Sequence, residues 1–176
     1  EKGIAFLEKM ENLGIVADVS HLWDTGFYDV CRYCTKPFVA SHSNARALCR
    51  HKRNLTDDMI REIGERGGVI GINYYSLFLE QISCSHPKEK EKNSKYYNSR
   101  VERIADHILY IRQIGGNDCA ALGSDFDGID CELEMADCSR IEMLERELRK
   151  RGLREREVED IFCRNVLRVY KACWKE

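Results

Sequence analysis

Three stretches of this 176-residue chain close an apolar run with a residue able to bind a metal or move a proton. Gly14-Ile15-Val16-Ala17-Asp18-Val19-Ser20-His21 ends in an imidazole and Pro37-Phe38-Val39-Ala40-Ser41-His42 in a second. Cys119-Ala120-Ala121-Leu122-Gly123-Ser124-Asp125 ends in a carboxylate. Neutral imidazole nitrogens and carboxylate oxygens are common zinc ligands, and catalytic sites keep one position open for water. A carboxylate beside such a metal can take a proton from attacking water and return it to a leaving amine. His21 and His42 lie 21 residues apart, about one strand–helix unit, which would set them on neighbouring strand ends facing one cleft. Neither belongs to a helical HExxH, so a shared metal depends on the architecture. A lone histidine here is more often a satisfied structural residue; two at successive strand ends, each after a serine, leave both readings open. Asp125 and Asp127 flank Phe126 and would point the same way on an extended chain, with Asp127 bracing the loop. An Asx turn is the competing account of Asp125.

The elements that must position these groups follow from periodicity. Short apolar runs bounded by Gly and Pro, with helical stretches between, read as buried parallel strands. Ile4, Leu7, Met10 and Leu13 mark a first helix closed by Gly14. Asp24 or Thr25 is the expected cap of a helix through Cys34, with Phe27, Val30 and Cys31 inward. Ala45 to Cys49 reads as a helical turn, followed by the basic run Arg50-His51-Lys52-Arg53. Thr56 caps a helix whose inner face carries Met59, Ile60 and Ile63 and which stops at Gly67-Gly68. Val69 to Tyr75 is a third strand, with Gly71 where backbone must approach closely. Ser85 to Asn98 reads as a charged surface loop placed where a lid would sit. Arg100 to Gly115 is a helix carrying Ile104, Ile108, Ile111 and Ile114. The fourth strand ends at Asp125, and two tail helices, Ser139–Arg151 and Glu155–Trp174, are split by Gly152.

Four strand–helix alternations predict an α/β fold of the TIM type, in which catalytic groups converge at the C-terminal ends of the strands. A complete barrel of this type needs about 250 residues, so the chain accounts for half of one, with residues 1–176 read as a single domain. It begins Glu1-Lys2-Gly3 without Met, as a cut chain would.

Composition narrows the function classes. With 43% hydrophobic and 33% charged residues and a net charge of −2, the chain reads as globular and lacks the basic excess of a nucleic-acid binder. Its apolar runs are strand-sized, so no transmembrane segment or signal peptide is expected. Nine cysteines without a secretory signal read as reduced, mostly buried thiols of a cytoplasmic protein. Cys31-Arg32-Tyr33-Cys34 has redox-motif spacing but no second CxxC, so a structural role is favoured. His86, in the charged loop, and His107, on a helix, are read as non-ligands.

Four motifs carry a family resemblance: DVSH at Asp18–His21, ASHSNARALCRHKRNLTDDMI from Ala40, RGGVIGINYY through Tyr75, and GSDFDG from Gly123. Together they resemble the membrane (renal-type) dipeptidases, zinc peptidases of family M19, and match the C-terminal half of that barrel. The resemblance implies hydrolysis of the peptide bond of dipeptides, including those with a C-terminal D-residue, through metal-activated water. It implies that His21 and His42 ligate one Zn²⁺ of a two-zinc pair and that Asp125 transfers the proton. Arg53 aligns with the residue that grips the substrate's free carboxylate, a task suited to a guanidinium fork. Tyr75, with Asn73, would line the cleft.

The chain also departs from that pattern. The family's HxD pair, its bridging Glu and a substrate-binding His lie upstream of DVSH, and no His-x-Asp occurs here. One partial zinc site is therefore expected, with little turnover until the N-terminal half is supplied. Expected partners are a dipeptide substrate, that missing half and, as an open alternative, a second copy in a homodimer. Two other functions compete: a barrel metallohydrolase of amides or esters, and a catalytically inactive half-barrel.

Overall fold

A computed structural model describes residues 2–81 and 98–174. The expected lid-like loop and His86 lie outside the described residues, apart from Asn98 itself. Helix α1 spans Lys2–Leu13 and ends at Gly14, whose φ of 75° allows the N–H groups of Gly14 and Ile15 to reach the carbonyls of Glu11 and Met10. Helix α2, Asp24–Tyr33, turns Phe27, Val30 and Cys31 inward as expected. Its N-cap is Trp23, not Asp24 or Thr25; the Asp24 carboxylate is drawn instead to Arg46, with both oxygens held at 2.8 Å.

Strand β1, Val39–Ala40, is the shortened second apolar run. The first run meets it through a single parallel bridge, Asp18 to Val39, rather than as a strand continuing to His21. Val19 N–H donates to the Val39 carbonyl at 2.8 Å and Val39 N–H to that of Ala17 at 2.9 Å, after which the chain turns at Ser20 and His21. With pairing to β1 alone among the described residues, too few ladder bonds form to extend the strand.

Helix α3, Asp57–Glu65, is capped as predicted: Thr56 Oγ1 accepts from Met59 N–H at 3.3 Å. Strand β2, Val69–Asn73, is buried along its whole length, as the centre of a parallel sheet requires. A short helix α4, Ser76–Leu79, follows, then strand β3, Asn98–Ser99, and helix α5, Val101–Gly115. Strand β4 spans Ala120–Ser124, and β5, Glu132–Leu133, forms a small parallel ribbon with β3. Helices α6 (Glu142–Lys150), α7 (Glu155–Glu159) and α8 (Asn165–Cys173) complete the tail. The second tail helix is not uniform, because Asp160–Arg164 form a π-turn between α7 and α8. Asn165 donates to the Ala120 carbonyl at 2.9 Å and ties this region to β4.

The principal sheet is parallel, in the order β1-β2-β4. Ile60 and Ile63 from α3, Ile70 and Ile72 from β2, and Ile104, Ile108 and Ile111 from α5 are fully buried in one cluster between sheet and helices. Truncating any of them to Ala costs about 2–5 kcal/mol. The register slips between Ile72 and Asn73, where β4 carries Gly123 as an extra residue. A Cβ at Gly71 or Gly123 would lie 2.1 or 2.2 Å from the Ser41 carbonyl, so these glycines admit the backbone that leads into His42. All three strands therefore deliver their C-terminal ends to one edge.

Candidate metal centre

That edge brings His21 and His42 together: their Nε2 atoms are 2.8 Å apart and their ring centroids 4.8 Å apart. His21 is exposed on its turn, whereas His42 is half-buried. Burial pushes the His42 imidazole below the ordinary histidine range; His21 and Arg53 add to this against the opposing pull of Asp125 and Asp18. The neutral ring so favoured is the form that ligates metals.

His42 is fixed at two further points. Its backbone N–H donates to Ser20 Oγ at 2.9 Å, and its Nδ1 lies 2.7 Å from Ser41 Oγ. Ser41 Oγ in turn donates to Asp18 Oδ2 at 2.5 Å, while Asp18 Oδ1 accepts the N–H groups of Ser20 and Ser41, each at 3.0 Å. Desolvation alone would raise the Asp18 carboxyl, but the Ser41 and Ser20 hydrogen bonds outweigh it and hold the group below the usual range. Asp18 and Ser41 were visible in the sequence only as neighbours of the histidines. Their position one residue before, or three before, a candidate ligand was the available signal.

Asp125 stands at the end of β4 in a left-handed conformation, φ 67°, after Ser124 at φ 32°. The alternation expected across Asp125-Phe126-Asp127 therefore does not hold: the chain turns, Gly128 N–H closes on the Asp125 carbonyl at 3.0 Å, and Asp127 is left exposed. Left-handed backbone at two successive non-glycine residues costs on the order of 1–3 kcal/mol each and persists where surrounding structure imposes it. Here Asn73, fully buried, donates from Nδ2 to Asp125 Oδ2 at 2.9 Å. Asn44, also fully buried, grips the Asn73 backbone through both amide atoms.

Arg53 reaches the same edge. Its Nε donates to the Ser20 carbonyl at 3.0 Å, its guanidinium lies 5.7 Å from the Phe78 ring centroid, and its Nη2 is buried with no hydrogen-bond partner in the protein. Tyr75 takes the N-cap position of α4 without a side-chain capping hydrogen bond and packs its ring edge-on against Phe78. His107, in contrast, sits in the core with both ring nitrogens engaged by backbone, as the non-ligand reading expected.

The donor set suits a divalent metal as one side of a site. Two imidazoles converge through Nε2, and a carboxylate faces the same edge. Among the described residues no group of three or more His, Cys, Asp or Glu forms a complete cage. The cysteines are not part of it. Among the described residues none forms a disulfide, and Cys31, Cys34, Cys49, Cys119 and Cys173 are buried. Burial pushes Cys31 and Cys34 up to about 11, opposite to what a reactive CxxC requires.

A parallel α/β sheet thus carries two imidazoles and a carboxylate at its C-terminal edge, the face on which β/α folds place their chemistry. The sequence profile of the membrane dipeptidases, peptidase family M19, matches residues 1–175, and the chain belongs to that family. It is 36% identical over 174 residues to an uncharacterised protein in the pqqA 5′ region of Klebsiella pneumoniae, covering 99% of this chain and 60% of that one. It is 32% identical to an uncharacterised dipeptidase of Schizosaccharomyces pombe, covering 96% of this chain and 39% of the relative. The chain thus spans less than two thirds of these proteins. A metallopeptidase from Rhodobacter sphaeroides, solved with a phosphinate mimic of the dipeptide L-Ala-D-Ala, superposes with a TM-score of 0.84 at 29% identity. That match covers 99% of this chain and 47% of the other. Among the described residues no helix is long and apolar enough to cross a membrane.

Proposed function

We propose that residues 1–176 form a single domain supplying the C-terminal half of a zinc-dependent dipeptidase barrel, with His21 and His42 as ligands on one side of the metal centre. The observation that carries this reading is the approach of the two Nε2 atoms to 2.8 Å at the C-terminal sheet edge of a family M19 chain. When bound, a zinc ion there would polarise a peptide carbonyl and make water nucleophilic near neutral pH. The remaining ligands, including those of a second zinc ion, would come from the half of the barrel that this chain does not span.

The roles of the chain's own residues follow from their contacts. Arg53 offers a buried, unpartnered N–H donor, suited to the terminal carboxylate that distinguishes a dipeptide from a longer peptide's interior bond. Phe78 lies beneath the guanidinium and Tyr75 against Phe78, so Tyr75 would shape the wall of the same pocket. Asp125, oriented by the hydrogen bond that Asn73 gives its Oδ2, would accept the proton of the attacking water and return it to the leaving amine.

The test is zinc content and L-Ala-D-Ala hydrolysis by this chain alone and joined to the N-terminal portion of a full-length relative. Activity in the joined protein alone would support a catalytic site divided across the two halves. A joined protein that binds two zinc ions but leaves dipeptides intact would transfer the assignment to hydrolases of other amides or esters. Absence of both metal and activity, with His21→Ala changing nothing, would leave a catalytically inactive half-barrel.

A further inference from the structure

We infer that Asp18 and Ser41 act as a positioning pair that locks His42 in its Nδ1–H tautomer, presenting Nε2 as a bare lone pair before any metal arrives. The inference rests on the metal-centre reading of His42 and adds to it the origin of the ring's protonation pattern.

Hydrogen bookkeeping along one chain of contacts supports it. The Asp18 carboxylate can only accept. Its Oδ1 is occupied by the N–H groups of Ser20 and Ser41, and its Oδ2 takes the Ser41 hydroxyl at 2.5 Å. Ser41 has one hydroxyl proton, and that proton points at Asp18. Toward His42 Nδ1, 2.7 Å away, Ser41 Oγ is left with lone pairs alone. Nδ1 must therefore carry the hydrogen, and a neutral imidazole protonated there is bare at Nε2. Ser20 holds the base of the same residue by accepting the His42 backbone N–H at 2.9 Å. Metal-binding histidines commonly donate their distal N–H directly to a carboxylate; in this chain a serine hydroxyl is interposed between them.

The same bookkeeping predicts the outcome of an isosteric change. In Asp18→Asn the two backbone N–H groups still require an oxygen at the Oδ1 position, so the new NH₂ must face Ser41. The Ser41 hydroxyl then becomes an acceptor from Asn and is free to donate to His42 Nδ1. The tautomer inverts, and Nε2 acquires the hydrogen.

The experiment uses the metal-free, ¹⁵N-labelled chain, with long-range ¹H–¹⁵N spectra of the His42 ring assigned by comparison with His42→Ala. Zinc affinity is measured alongside by competition with a chelating dye. Wild type is expected to show the Nδ1–H pattern. Asp18→Asn should show the Nε2–H pattern with an unchanged backbone amide spectrum and zinc affinity lower by about 10–100-fold. Ser41→Ala should lose the Nδ1–H preference, and Ser41→Thr, which keeps the hydroxyl, should restore it together with zinc affinity. An Nε2–H ring in the wild type, which requires no variant to fold, would overturn the inference. So would an Asp18→Asn protein with unaltered tautomer and affinity. An Nδ1–H wild type that binds no zinc would sink the metal-centre reading while leaving the lock in place.

Discussion

His42 and His107 are both shielded imidazoles, and they differ in how their ring nitrogens are spent. At His107, inside α5 and fully buried, Nδ1 accepts the Ala45 N–H at 3.1 Å and Nε2 bonds the Leu79 carbonyl at 3.0 Å. Both nitrogens are spent on backbone, so the ring serves as a strut between a loop, α4 and α5. At His42 one nitrogen is held by Ser41 and the other faces a second imidazole. Unlike His107, His42 commits neither ring nitrogen to backbone: its second nitrogen meets only the exposed His21 ring. Exposure alone would have ranked the two rings less clearly than this difference does.

Substitutions can break this contrast from either side. The largest effect is expected for His42→Ala in the joined barrel: L-Ala-D-Ala hydrolysis should fall by about 10³-fold, on the order of 4 kcal/mol of transition-state stabilisation. The thermal midpoint should change little, and steady-state kinetics with calorimetry would check both. His107→Ala should do the reverse. It strands a buried N–H and a carbonyl, at about 1–3 kcal/mol each, and adds a cavity. The urea midpoint should drop sharply while zinc per folded molecule is retained; loss of zinc with unchanged stability would exchange the two roles.

Arg53→Met sharpens the substrate side of the comparison. Removing a charged donor to a carboxylate costs about 1.5–3 kcal/mol of binding. KM for a dipeptide should therefore rise by roughly tenfold or more, with kcat less affected. A blocked dipeptide lacking the free carboxylate should be indifferent to the change. The smallest effect concerns thiols. Native alkylation followed by peptide mapping should modify exposed Cys138 and Cys163, whereas Cys31 and Cys34, at about 11, and Cys119, pushed up to about 12, should remain protected. Modification of Cys119 without unfolding would contradict its placement in the core.

The helices and the order of strands were legible because their signals are local. Ile60 and Ile63, and the Ile104-Ile108-Ile111 series, repeat at helical spacing and are fully buried, and Thr56 caps where its side chain predicts. The meeting of His21 with His42 was legible once strand ends were read as converging. What escaped detection depends on contacts distant in sequence or on backbone that defies local preference. The Asp18–Ser41 bond joins residues 23 apart, and the first strand's length depends on how much partner lies beside it. Positive φ at Asp125 has a weak local signal, since Asp tolerates the left-handed region and suits an Asx turn, but nothing in Ser124 announces its own positive φ. The β3–β5 ribbon has two residues per strand, too few for periodicity to register.

The amide of Asn44 joins these two halves of the edge mechanically. It lies two residues beyond His42, takes the Asn73 N–H on its oxygen at 2.8 Å and gives its own N–H to the Asn73 carbonyl at 3.0 Å. A side chain thus imitates a strand's peptide group, and the residue it clamps is the one that holds Asp125. The spacing between imidazole and carboxylate is consequently set by one short, stiff linkage rather than by two independent loops. Any movement of the His42 loop would be passed through Asn44 and Asn73 to Asp125, so imidazole and carboxylate are geared to shift together.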